Sequence, residues 1–126
     1  MNNSSIARIG TILYALVIGF FGINHFLNAS GMAGMLPSFF HGAVFWVYLT
    51  GAALILAAIS FIIGKQTRIA GLLLAVFLLI IVVSIHLPAV MNAPDEAASR
   101  FPMTNLIKDT GLAAAALMIA GKGTGS

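Results

Sequence analysis

Hydrophobic residues along this chain fall into four long runs separated by short polar breaks. Ile9 to Phe26 is interrupted only by Gly, Thr, Tyr and the closing pair Asn24-His25. Ala43 to Ile63 carries no charge and stops at the polar turn Gly64-Lys65-Gln66-Thr67-Arg68. Ile69 to Leu87 is almost pure Leu, Ile, Val and Ala. Pro88, which has no backbone donor, is expected to end that helix. Thr104 to Gly121 is the least apolar run, with Asn105, Lys108 and Asp109 in its first turns. At about 1.5 Å per residue each run covers most of a hydrocarbon core about 30 Å thick. Period-2 alternation is absent, so a transmembrane barrel is not expected. The pattern predicts an all-α integral membrane four-helix bundle, a single domain over residues 1–126, with spans at 9–26, 43–63, 69–87 and 104–121. A cleaved signal peptide is the rival reading of the first run, since Arg8 precedes it. The run is longer than a typical signal core, and no convincing small-x-small cleavage site follows it.

Composition agrees with lipid as the solvent. Of the 126 residues, 60% are hydrophobic and 7% charged, against about 25% charged in a soluble domain. Six Lys and Arg outweigh three acids, giving a net charge of +3. The cations sit singly at the ends of apolar segments and form no stripe of the kind that binds phosphate backbones, so nucleic acid is not an expected partner. The chain has no cysteine, which excludes disulfides, thiolate catalysis and Cys-based metal sites.

Arg8, Lys65, Arg68 and Lys122 fall on one side of the four spans, and Arg100 and Lys108 on the other. The positive-inside rule then makes the bundle up-down with both termini cytoplasmic. The two connectors on the far side are expected to be interfacial. Asn28 to Gly42 contains Met32, Met35, Leu36, Phe39 and Phe40 without a charge, as suits a segment lying in or dipping into the bilayer. Asn92 to Arg100 reads as a short amphipathic helix capped by Asn92, with Pro94 and Asp95 in its first turn, lying flat on the membrane. Small residues four apart, Ala15/Gly19, Ala53/Ala57, Gly71/Ala75 and Gly111/Ala115, mark the expected helix contacts, because close backbone approach replaces the hydrophobic drive in lipid.

Polar groups in a membrane are costly, so their positions are the functional signal. Asn24 and His25 close the first span, Trp46, Tyr48 and Thr50 open the second, His86 closes the third, and Asn105, Lys108 and Asp109 open the fourth. In an up-down bundle these all lie at the outer end, which predicts a ligand-binding pocket of Asn24, His25, Tyr48, His86, Asn105, Lys108 and Asp109. The competing reading is an interface belt, with Trp46, Tyr48 and Arg100 at headgroup level and Lys108 snorkelling. Lys108 and Asp109, being adjacent, should diverge and find separate partners. His41 reads as solvated. A metal site from His25, His86 and Asp109 lacks any HxxxH or HxxE spacing, so no metal is expected. No nucleotide-binding or hydrolase motif occurs, which leaves catalysis without a candidate residue.

Gly22-Ile23-Asn24-His25-Phe26, Pro37, Phe45-Trp46-Val47-Tyr48-Leu49-Thr50-Gly51-Ala52, Ile85-His86-Leu87-Pro88 and Asn105-Leu106-Ile107-Lys108-Asp109 together resemble the DoxX-like family of small four-helix bacterial membrane proteins. The resemblance implies a multi-pass inner-membrane bundle associated with quinone-linked redox complexes. It supplies no catalytic set. The expected role is an accessory, non-catalytic subunit that binds a quinone-like or other amphipathic ligand, or a partner protein, at the outer end. A quinone is the cofactor such a site would take, and a redox complex or a second copy of the chain the partner. The alternatives are a small transporter or channel component and a purely structural bundle.

Overall fold

A computed structural model describes residues 2–34 and 42–122, and among the described residues every regular element is helical. His41, Pro37 and most of the connector expected to be interfacial lie outside the described residues. Helix α1 spans Asn3–Leu27, and the short α2 Ala29–Ala33 follows it directly. Helix α1 begins well before the apolar run because Asn2 caps it, its side-chain oxygen accepting from the Ser5 amide at 2.8 Å and satisfying one of the free donors of the first turn.

Helix α3 spans Ala43–Ile63, the range expected from hydropathy. It ends at Gly64, which takes the left-handed conformation (φ 73) and closes the last turn through its amide to the Ser60 carbonyl at 2.9 Å. That is the position where a Cβ is disfavoured.

The third long helix departs from expectation. Helix α4 runs Thr67–Ile81, a π-helical segment follows over Val82–His86, and α5 continues over Leu87–Met91. Pro88 therefore does not end the helix. The Leu87 amide reaches back to the Val82 carbonyl, a five-residue step in place of four. This wider turn, placed just ahead of the proline, relieves the ring's usual clash with the carbonyl four residues earlier.

Helix α6 spans Glu96–Lys122 with Pro102 inside it. The flat amphipathic helix expected over residues 92–100 is thus not a separate element. Asn92 to Asp95 form the turn, and Asp95 rather than Asn92 caps, its Oδ1 accepting from the Ala98 amide at 2.7 Å. Pro102 lacks the amide that would bond the Ala98 carbonyl, yet the helix continues through it, at an exposed first turn where Ala98 is not buried. Asp109 consequently sits near the middle of α6 and not in its first turns.

Helices α1 and α3 form one closely packed pair and α4 and α6 the other, with α3 and α4 in lighter contact. Each pair is closed by small residues. A Cβ on Gly22 would meet the Gly51 carbonyl at 2.9 Å, and one on Gly71 would meet the Ala116 carbonyl at 2.7 Å and Ala120 Cβ at 2.9 Å. Gly19 approaches Ala58 in the same way, whereas Gly111 faces open space, so the expected Gly111/Ala115 contact is replaced by Ala113, Ala116 and Ala120, all buried. Ile18, Phe61, Leu74 and Leu78 fill the centre between the pairs. Three helical stretches, Asn3–Leu27, Ala43–Ile63 and Thr67–Met91, are long and apolar enough to cross a membrane. Helix α6 has the length, but Glu96, Arg100, Lys108, Asp109 and Lys122 lower its hydropathy.

Candidate functional site

Asp109 is the one buried charged residue among the described residues. Its carboxylate stands between α4–α5 and α1, and two groups meet it. His86 Nε2 donates to Oδ2 at 2.7 Å, and Lys108 Nζ lies 3.5 Å from Oδ1. The imidazole and the carboxylate are both largely enclosed, with side chains 16% and 11% exposed, while Lys108 is 40% exposed. Lys108 does not diverge from its neighbour as expected. Its long stem folds back so that the ammonium sits both beside Asp109 and 4.6 Å from the centre of the Phe21 ring of α1, a cation over a π face.

The backbone explains how His86 arrives there. The buried stripe of α4 is Gly71, Leu74, Ala75 and Leu78. At about 100° per residue, an uninterrupted α-helix would put His86 about 70° to one side of that stripe's centre. A π turn holds one extra residue, which rotates the rest of the helix by about 100° and leaves His86 about 30° to the other side. The imidazole thus faces α6, where Asp109 waits. One turn further along α6 the Leu112 carbonyl accepts from the Tyr14 hydroxyl at 2.5 Å. Tyr14 and Phe21 are both on α1, so this helix touches α6 on either side of the aspartate.

The remaining residues expected in the pocket are placed differently. His25 turns to its own helix, Nδ1 donating to the Phe21 carbonyl at 2.6 Å. It shares Phe21 with Lys108 but has no bond to His86 or Asp109. Asn24 pairs with Asn28, whose side-chain amide donates to it. Tyr48 is exposed and stacks on Phe26 with centroids 5.3 Å apart, and Trp46 is likewise exposed, edge-on to Phe45. Asn105 is half-buried on α6, one turn before Asp109. Among the described residues no group of three His, Asp or Glu side chains is arranged to hold a metal ion.

Two features escaped the sequence reading. Arg8 does more than orient the chain, because its guanidinium donates to the Phe61 carbonyl at 2.7 Å and to the Ile62 carbonyl. It thereby supplies charge and donors to the last turn of α3, where carbonyls lack partners. Tyr14 had no signal beyond being a polar residue in an apolar run.

Residues 14–121 match the family described as Domain of unknown function (DUF8561). No curated protein and no solved structure matches the chain.

Proposed function

Since the chain belongs to the DUF8561 family, a domain of unknown function, we propose a role from its own site: an accessory membrane subunit, without catalytic activity of its own, that binds the head group of a quinone-like amphipathic ligand at His86, Lys108 and Asp109. In this reading α6 is a fourth crossing. The chain is then an up-down bundle in a bacterial inner membrane with both termini in the cytoplasm, as the positions of Arg8, Lys65, Arg68 and Lys122 favour. The observation that carries the proposal is the enclosed Asp109 carboxylate, bonded to His86 at 2.7 Å with Lys108 at its side. Ionisable groups held amid apolar helices are costly and tend to be kept for binding or proton handling. A quinone carbonyl needs a donor, and Lys108, partly exposed beside the aromatic face of Phe21, offers one next to apolar surface for the tail. The resemblance to DoxX-like proteins supports the same ligand class, and a redox complex or a second copy of this chain as partner.

The test is native mass spectrometry of the detergent-purified protein with added quinone. Wild type should retain the quinone, and His86→Ala and Lys108→Ala variants should insert normally yet lose it. Equal retention by all three proteins sinks the proposal. A purely structural role is the second reading, favoured by Asp109 having both of its oxygens met from within the protein. It expects Asp109→Asn to lower the melting temperature while no quinone is retained by any form.

A further inference from the structure

The opposite end of the molecule holds a second candidate site. A cleft of about 500 Å³ opens between the first turns of α1, the start of α4 and the last turns of α6, within the range of small-ligand pockets. Ser4, Arg8, Thr11, Tyr14, Thr67 and Lys122 supply its polar lining, and Met118 and Ile119 part of an apolar wall. Arg8 bonds two carbonyls of α3. A guanidinium has five N–H donors in a fixed fork, so three remain for a ligand. Charge segregation strengthens the case. Arg8, Lys65, Arg68 and Lys122 all lie at this end, while of the three acids of the chain Asp95 and Glu96 lie at the other and Asp109 midway along α6, outside the cleft's lining. An anion entering the cleft therefore meets cations and no carboxylate.

We infer that this cleft seats the head group of an anionic phospholipid, its phosphodiester held by Arg8 and Lys122 and an acyl chain lying along Met118 and Ile119. The ligand chemistry, a phosphate on an apolar tail, matches a pocket with cations at one edge and hydrocarbon along its wall. A free phosphate would leave that wall without a partner. Basic pockets between helices at the membrane surface bind lipid head groups by this combination. The cleft shares no lining residue with the His86–Asp109 pair, which lies midway along α6.

Native mass spectrometry of the intact chain, titrated with phosphatidylglycerol or phosphatidylcholine, tests this. Phosphatidylglycerol should bind more tightly, and Lys122→Gln should weaken it about fivefold, the factor one cation near an anionic surface supplies. Gly10 lines the cleft, and a Cβ there would meet nothing within 4 Å. Gly10→Leu should therefore fill the space and weaken phosphatidylglycerol binding without a clash within the fold, with a melting temperature no lower than wild type as the control. Excess inorganic phosphate should displace little lipid. Equal binding of the two lipids, or phosphatidylglycerol binding indifferent to both substitutions, overturns the inference. Full displacement by inorganic phosphate overturns the lipid as occupant.

Discussion

The two helix pairs use the same closing device at opposite ends of the molecule. Helices α1 and α3 come closest at Gly22 and Gly51, near the end where α1 finishes and α3 starts. Helices α4 and α6 come closest at Gly71 and Ala116 to Ala120, near the end that carries both chain termini. In each pair the polar contact sits away from the pinch: Arg8 reaches the end of α3 in the first pair, and His86 meets Asp109 in the second. The physical reason is room. Where two backbones approach at a glycine no side chain fits between them, and where they part the space is filled by long polar groups. The pairs differ in what the polar contact does. Arg8 supplies donors to backbone carbonyls and remains at the rim, whereas His86 and Asp109 satisfy each other's hydrogen bonding in an enclosed place.

That difference can be tested by breaking each contact. The largest effect is expected for His86→Ala, which leaves Asp109 short of its nearest partner and should cost about 3 kcal/mol of unfolding free energy in detergent. In an Asp109→Asn background the same substitution should cost far less, since the charge that needed the imidazole is gone. Equal costs in both backgrounds would mean that the pair is not coupled. Gly51→Ala comes next. Its Cβ would stand 2.9 Å from the Gly22 carbonyl and 3.0 Å from His25 Cβ, and forcing the α1–α3 pinch apart should cost about 2 kcal/mol. A fully stable variant would show that this pair does not depend on backbone approach. The smallest effect is expected at Gly111, where a Cβ meets nothing within 4 Å. Gly111→Ala should stabilise by about 0.5–1 kcal/mol through helix propensity alone, read as a raised melting temperature. A loss there would point to a contact made by Gly111 with something outside the single chain.

Hydropathy located α3 to the residue because both of its ends coincide with a change from apolar to polar sequence. It placed the starts of α1 and α6 too late. Those helices begin in polar sequence, at the caps Asn2 and Asp95, where hydrogen bonding to free amides decides the boundary. Pro88 misled for a related reason: its effect depends on the turn before it, and no residue in Val82–His86 announces a π segment. For the site, depth and polarity singled out His86, Lys108 and Asp109. The same reasoning grouped Asn24, His25 and Tyr48 with them. These have local partners on their own helix or a neighbouring aromatic, contacts a depth argument does not resolve. Gly22 and Gly51 went unnoticed because neither belongs to a small-residue pair spaced four apart, although each lies where two helices cross.

The π segment carries a consequence for heredity as well as geometry. Because it sets the rotational phase of everything after Ile81, the winding of the backbone between Leu78 and His86 belongs to the site as much as the imidazole does. A relative of the same length that wound this stretch as plain α-helix would swing its ring about 100° around the helix axis, whereas one that lost a single residue together with the π turn would keep the ring where it is. Winding, here, is a chemical property in its own right.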